Sequence, residues 1–327
     1  MLRCIQRHET DPHFNLAAEE YLLKNALEDT IMIWQNEPSV IIGKHQNTSR
    51  EINHTFIESF NLPVVRRITG GGTVYHDLGN INFSYIYTNR NENLIDFKFF
   101  TRPIIRFLQE IGLSASFEGK NNIVVDGLKV SGNSAHIHRN KVLHHGTLLF
   151  NTDLEKLEAA LAGHDDYYKD KSVRSIRSKV ANIYDLLEDK ISKEDFINLF
   201  KAFINKNSIN VYFDELNREE NEAIRKLAEE KYQSKQWNYG YSPDYKFENE
   251  WITRDQEFSV ELYVKDGMIM QCKITGDEKD TNFLNDLAKQ LPGVLHEKYS
   301  VTESLKKLTF ADEYKERMMN HLIQSLF

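Results

Sequence analysis

Between Arg66 and Asn80 the chain reads Arg-Arg-Ile-Thr-Gly-Gly-Gly-Thr-Val-Tyr-His-Asp-Leu-Gly-Asn. Gly70, Gly71 and Gly72 carry no Cβ, so ligand oxygens can approach their backbone N–H groups closely. Arg66 and Arg67 can grip carboxylate or phosphate in a bidentate fork. No Lys-Ser/Thr follows the glycines, so this is not a Walker A loop, and Gly-x-Gly-x-x-Gly spacing does not fit either. The plain alternative is a glycine-rich turn with solvated arginines. The added His76-Asp77 and Gly79-Asn80 weigh against it.

A second concentration is Lys129-Val130-Ser131-Gly132-Asn133-Ser134, followed by His144-His145-Gly146-Thr147. A strand lysine among apolar neighbours can sit in a cleft as a point charge for phosphate and carboxylate oxygens, although most lysines face water. His144-His145 invites a metal reading, but adjacent strand residues point to opposite faces and no helical His-x-x-x-His pair supports a site. We therefore assign no metal ligands. The third concentration, Ser172 to Asn182, alternates cations and hydroxyls. It suits a mobile anion-gripping loop or a plain basic surface loop.

These residues need positioning elements. Asn15–Leu27 reads as a helix, and Ile31–Trp34 with Val40–Gly43 as a hairpin-like strand pair around Asn36-Glu37-Pro38-Ser39. Strands are expected at 62–68 and 80–87 and a helix at 99–111. Residues 114–150 are strand-rich, with hairpin turns at Asp126-Gly127 and at 138–141. Helices are expected at 153–162, 193–206 and 217–232. Trp237–Pro243 breaks the helical pattern and reads as a domain boundary. Beyond it a hairpin turns at Lys265-Asp266-Gly267, and two or three helices close the chain. Hairpins without regular βαβ spacing imply an α+β fold with a mixed, largely antiparallel sheet flanked by helices. We expect domains at 1–244 and 245–327, the second small and α+β.

With 327 residues, two domains fit. Apolar (40%) and charged (28%) fractions are those of a soluble globular enzyme. Forty-one basic against 49 acidic side chains leave −8, which disfavours a nucleic-acid-gripping protein. Two distant cysteines, Cys4 and Cys272, exclude a disulfide scaffold and a cysteine-rich zinc module. Met1–His8 has no secretory apolar run, and no apolar run approaches membrane-spanning length. A cytoplasmic protein is expected.

Taken together these segments resemble the lipoate–protein ligase family, within the biotin/lipoate ligase superfamily. The resemblance spans nearly the whole chain, from Asn15-Leu16-Ala17-Ala18-Glu19-Glu20 to a C-terminal accessory domain. Its most specific part is Arg66–Asn80. Gly43–Asn47, Lys129–Gly132, His144–Thr147 and Ser175–Asn182 follow in the family's order. The resemblance implies ATP-dependent activation of free lipoate to lipoyl-AMP, then transfer to a specific lysine of an acceptor. Acceptors would be apo lipoyl domains of 2-oxoacid dehydrogenase E2 subunits or the glycine cleavage H protein. It implies Mg2+ with ATP and, as our default, a monomer.

By the same resemblance, Lys129 would be catalytic, bridging the lipoyl carbonyl and the α-phosphate. Gly70, Gly71 and Gly72 would admit the acyl and phosphate groups, and Arg67 would hold phosphate oxygens. Thr73, Val74 and Tyr75 would line the adenylate site, and His76 would sit against the lipoyl group. Asn121, His145, Arg177, Ser178 and Lys179 complete the binding set. One departure stands out: the family's usual Gly-Arg-Asn-Asp reads Gly119-Lys120-Asn121-Asn122, which removes a carboxylate and a guanidinium fork. Two rivals are a carrier-to-carrier lipoyl or octanoyl transferase, which needs an activated cysteine, and a non-catalytic lipoyl-domain-binding protein.

Overall fold

The computed structural model describes residues 1–88, 95–163, 165–176, 178–253, 256–308, 310 and 312–327. Its strands in chain order are β1 (Leu2–Gln6), β2 (Asp29–Trp34), β3 (Ser39–Ile42), β4 (Val64–Arg66), β5 (Val74–His76), β6 (Asn80–Thr88), β7 (Ala115–Glu118), β8 (Asn122–Val125), β9 (Leu128–His138) and β10 (Lys141–Leu149). There follow β11 (Tyr168–Asp170), β12 (Val211–Asp214), β13 (Tyr245–Thr253), β14 (Gln256–Lys265) and β15 (Met268–Thr275).

The chain forms two compact units. The first comprises Met1–Lys44, Pro63–Glu158 and Ser175–Gln233; the second comprises His45–Leu62, Ala159–Arg174 and Ser234–Phe327. In the first, an eight-stranded sheet runs β12-β1-β2-β6-β10-β9-β8-β7, and a three-stranded sheet runs β4-β3-β5. β1 lies parallel to β2 and β12, and β3 parallel to β4; the other pairings of these sheets are antiparallel. The fold is the expected mixed, largely antiparallel α+β architecture. The core packs β-strand residues Ile31, Ile33, Phe83 and Val130 against Ile104 and Phe107 of the helix Phe97–Glu110, and against Phe196 and Phe200 of the helix Lys193–Asn207.

The opposite face of the large sheet meets the helix Pro12–Asn25. Asp11 caps it, accepting from the His13 N–H, and proline opens its first turn, where no N–H is missed. Asn15 anchors its entry, donating to the carbonyls of Glu9 and Gln35 and to Asn36 Oδ1. This helix is buried along most of its length, Glu19 and Glu20 included, so it carries polar groups into the interior.

The second unit has a four-stranded antiparallel sheet, β11-β13-β14-β15. Phe247, Phe258 and Val260 of its inner face pack against Leu287, Val301 and Leu322 of the helices Thr281–Lys289, Lys298–Leu305 and Glu313–Ser325.

Two local expectations need correction. β2 and β3 are not a hairpin: β2 joins the large sheet between β1 and β6, whereas β3 is central to the small one. Val40, Ile41, Ile42 and Ile31 to Trp34 are all buried, so neither run has the one-sided alternation that marks a hairpin. Within Trp237–Pro243, helical structure persists to Gly240 and breaks only at 241–243. Gln236–Gly240 forms a π-helical turn, as does Ala228–Tyr232, where the helix expected to reach 232 leaves α geometry after Leu227.

Candidate active site

The glycine turn links β4 to β5 and is organised by the arginine that precedes it. Arg67 is buried; its Nε donates to Thr69 Oγ1 (2.9 Å) and Nη1 to the Ile41 carbonyl (3.1 Å). Nη2 donates to the carbonyls of Gly70 (2.6 Å) and Gly72 (2.7 Å). Four of the five guanidinium N–H bonds are thus committed to the protein. Burial lowers Arg67 to about 10, a value that keeps it cationic at neutral pH. Ser134 of β9 adds a second donor to the Gly70 carbonyl (2.8 Å). The turn is thus tied down through its Gly70 and Gly72 carbonyls, which face inward onto Arg67. Gly71 has φ of +89°, and a Cβ there would lie 3.1 Å from Arg67 Nη2, so this position needs glycine.

Behind the turn runs a buried polar chain. Trp34 Nε1 donates to Ser84 Oγ (2.7 Å), and Ser84 donates to Glu19 Oε1 (2.6 Å). His145 Nδ1 lies 2.7 Å from the same oxygen, and its Nε2 is 2.8 Å from Thr69 Oγ1. The direction follows from the donors. The Glu19 carboxylate only accepts, so His145 Nδ1 donates to it, while Thr69 Oγ1 accepts from Arg67 Nε and also bonds His145 Nε2. His144 points to the other sheet face, stacked on Phe100 (4.9 Å), with Nε2 at 3.2 Å from Asn133 Oδ1. Burial pushes it to about 3, as befits a core histidine. Among the described residues no cluster of His, Cys, Asp and Glu could hold a metal ion.

Lys129 is half-buried near the start of β9. Its ammonium lies over Gly132, within 3.3 Å of where a Cβ would stand, and has no hydrogen-bond or ion-pair partner among the described residues. Burial, then the charge of Arg67, lower its pKa. An unpaired, partly desolvated cation is a site for an incoming anion. Its backbone N–H donates to the Lys179 carbonyl (2.9 Å) and its carbonyl accepts from Ala181 (3.1 Å). This fixes the 178–182 segment beside β9. Ser175 Oγ accepts from the Thr73 N–H (2.9 Å), and a Cβ on Gly72 would stand 3.0 Å from it. Ser175 and the 178–182 part of the third sequence concentration are thereby brought to the other two.

His76 is buried beside the turn and Trp34 meets it edge-on (5.9 Å). Burial, reinforced by Arg67 and His145, lowers it to about 3, so the ring is neutral. Its Nδ1 is 3.1 Å from Asn36 Nδ2, which makes Nε2 the protonated nitrogen. That Nε2 is buried with no partner, and so are Asn80 Oδ1 and Asn82 Nδ2 on β6. Orphaned polar atoms of this kind await a ligand or water.

Other expected residues are placed less directly. Tyr75 alternates away from His76 on β5 and is buried. Thr73 is buried and Val74 half-buried. Asn121 latches the β8–β9 hairpin: its side chain donates to the Asn133 carbonyl, and its own carbonyl accepts from Asn133 N (3.1 Å) and Nδ2 (3.0 Å). Asn122, the departure, pairs across the strands with Gly132, over which the Lys129 ammonium lies. The side chains of Ser178 and Lys179 are exposed, and Arg177 lies outside the described residues. The sequence reading missed Glu19, Trp34, Thr69, Asn82 and Ser84. The alternation Asn80-Ile81-Asn82-Phe83-Ser84, polar on one buried face, was a usable signal.

The lipoyl protein ligase A/B catalytic domain family matches residues 11–205, and the bacterial lipoate protein ligase C-terminus family matches residues 242–327. The chain belongs to the lipoate–protein ligase family. It is 40% identical over 301 residues to lipoate–protein ligase 1 of Staphylococcus aureus, covering 91% of each chain. It is 37% identical over 310 residues to the lipoate–protein ligase LplJ of Bacillus subtilis, covering 94% of each. A solved lipoate–protein ligase A bound with ATP shares the fold at a TM-score of 0.63 and 24% identity, over 74% of this chain and 100% of that one.

Membership makes this chain an enzyme, and it disfavours both rivals. The cysteines agree: Cys4 is buried in β1 and its thiol is raised to about 11 by burial, and Cys272 is raised to about 12. Neither is the activated thiolate that an acyl-enzyme route requires.

Proposed function

We propose that the chain's ATP-dependent lipoate ligation runs through the Lys129 ammonium and the glycine turn. In the first step a lipoate carboxylate oxygen attacks the α-phosphorus of MgATP and pyrophosphate leaves, giving lipoyl-AMP. In the second, an acceptor lysine amine attacks the lipoyl carbonyl, the amide forms, and AMP leaves with the acyl–oxygen electron pair. Negative charge grows on the α-phosphate and then on the carbonyl oxygen. The Lys129 ammonium, unpaired among the described residues, is the observation that carries this reading: a cation partly desolvated and unengaged is preorganised for that charge.

The backbone of Gly70 to Thr73 would receive the acyl and phosphate groups. Arg67, with one N–H left, would act mainly by holding that backbone. His76 Nε2–H and the Trp34 ring would wall the lipoyl chain, and Arg177, Ser178 and Lys179 would close over the adenylate, where excluding water protects the mixed anhydride. Mg2+ would arrive with the nucleotide, held mainly by phosphate oxygens and water.

The site residues all fall within 1–244, which we propose as the catalytic part, with 245–327 accessory. Apo lipoyl domains of E2 subunits and the glycine cleavage H protein are the proposed acceptors, and the working form is a cytoplasmic monomer. Among the described residues, no helix is long and apolar enough to cross a membrane.

The test is lipoate-dependent exchange of labelled pyrophosphate into ATP without acceptor. Lys129→Ala should lower the exchange rate about 100- to 1,000-fold, the usual loss for a charge-stabilising group. Exchange unchanged in Lys129→Ala would remove it from the chemistry.

A further inference from the structure

The second step asks for something the first does not. A lysine amine is an ammonium at neutral pH and must lose a proton before it attacks. Bases around the turn are already committed. His145 is bonded through both ring nitrogens, to Glu19 and Thr69, and His76 accepts from Asn36 on Nδ1 and holds its proton on Nε2. His144 lies on the other sheet face, stacked on Phe100. Glu19 accepts from Ser84 and His145, and Glu20 is shared by Lys24, Lys231 and Tyr232.

His136 is different. Residues 132, 134 and 136 of β9 share one strand face, which also holds the Lys129 ammonium over Gly132 and the Ser134 hydroxyl on Gly70. The His136 ring is half-buried and has no hydrogen-bond partner among the described residues. Its opposite neighbour on β10 is Leu143, whose side chain offers it no polar group. Burial lowers its pKa, and so do the charges of Lys44 just after β3, His138 on the same strand and Lys231 on the π-helical turn. Glu20, on the helix Pro12–Asn25, acts in the opposite sense. The ring is therefore neutral at pH 7, with a nitrogen lone pair to offer. The same cations disfavour an incoming ammonium, which eases its loss of a proton.

We propose that His136 is the general base of the transfer step, taking a proton from the acceptor lysine through one water. The inference rests on the ligase reading above. From Gly132 to His136 the strand spans about 13 Å. The Lys129–carbonyl hydrogen bond, the carbonyl itself, the approach of the amine and one amine hydrogen bond cover roughly 10 Å, so one water completes the path. The water takes a proton from the ammonium and passes one to the ring. The neutral amine then forms the C–N bond, the acyl–oxygen bond breaks with its electron pair going to AMP, and the second amine proton leaves to solvent. The half-exposed imidazolium returns its own proton to water.

The test is His136→Gln in the full chain, which keeps a polar side chain of similar reach without a titratable nitrogen. Transfer is followed in single turnovers, from bound lipoyl-AMP to an apo E2 lipoyl domain or to hydroxylamine, a nucleophile already neutral at pH 7. With the lipoyl domain the variant should be about 100-fold slower at pH 7. Hydroxylamine should react at the parent's rate, and so should acceptor-free pyrophosphate exchange proceed, since no amine takes part in it. The parent's transfer rate should be level from about pH 7 to 9, whereas the variant's should climb about tenfold per unit, following the free amine. Equal transfer rates, or parallel pH profiles, would overturn the proposal. Loss of exchange or of the hydroxylamine reaction would also overturn it, placing His136 in the adenylation step or in the fold. Absence of lipoate-dependent exchange in the unaltered chain would instead overturn the ligase reading beneath it.

Discussion

In the proposed mechanism Arg67 and Glu19 would act by holding the glycine turn rather than by touching the reacting groups. The chain Trp34–Ser84–Glu19–His145–Thr69–Arg67 converges on the Glu19 carboxylate, with donors reaching it from both sides, and ends at Arg67, which also donates to the glycine carbonyls. Glu19 Oε1 accepts twice, so removing it strands the Ser84 hydroxyl and the His145 Nδ1–H in a buried place. Glu19→Ala should therefore lower stability by about 1–3 kcal/mol and slow pyrophosphate exchange by about 10-fold in kcat. A Glu19→Gln carbonyl can accept both bonds and should restore most of the rate. Steady-state exchange with a parallel urea melt separates these effects. Equal activity in both variants would mean the turn needs no support from that side.

At the scale of elements, the glycine positions answer different demands. Gly70 has nothing within 4 Å of a built Cβ, Gly71 has φ of +89°, and a Cβ on Gly79 would lie 1.9 Å from the Asn151 carbonyl oxygen. Gly79→Ala should thus destabilise by several kcal/mol, since backbone must move, and Gly71→Ala by about 1–2 kcal/mol. Gly70→Ala should melt like the parent chain, so any lost exchange in it reports a ligand against the turn. Thermal melts with exchange assays on the three proteins check this ordering.

The same elements show what can be read from sequence. The Asp126-Gly127 and Asp266-Gly267 hairpins were legible because a two-residue turn with positive φ has few chemistries; all four residues have it here. The signature from Arg66 to Asn80 was legible for a like reason, as close backbone approach demands glycine. β1, β12 and β13 were not foreseen. β1 is an interior parallel strand between β2 and β12, and its pairing depends on partners far along the chain. Glu19 escaped because a helix carboxylate reads as solvated until its partner, His145, is seen 126 positions away.

Over the whole molecule, both units bury neutral histidines: His76 and His144 in the first, His296 in the second, each lowered to about 3 by burial. Unfolded imidazoles titrate near 6.5, so below that the unfolded chain binds more protons than the folded one. The stability they contribute is complete above pH 6.5 and falls as pH drops towards 3, by up to about 1.4 kcal/mol per unit and group. Urea midpoints should fall between pH 7 and pH 5; a flat profile would show that these rings are already protonated when folded. Connectivity sets a second whole-molecule property.

The segments 45–62 and 159–174 belong to the second unit although 1–244 contains them. Their partners lie beyond 244. β11 pairs with β13 at Tyr168 and Phe247, and Ser49 donates to the His296 carbonyl. His54 packs on Phe327 at 4.9 Å, and Lys298 pairs with Glu58 at 2.6 Å. Arg50, fully buried, keeps Asp170 (2.7 Å) and Glu51 (3.0 Å) together inside these same segments. A 1–244 fragment would retain Lys129 and the glycine turn yet leave that ion triad uncovered and β11 without its neighbour. Exposed apolar side chains such as Tyr168 then favour aggregation. The fragment should melt several degrees below the full chain, and limited proteolysis should cut first within 45–62 or 159–174. Cuts confined to residues after 233, with an unchanged melt, would instead show that those segments keep their structure without the residues beyond 244.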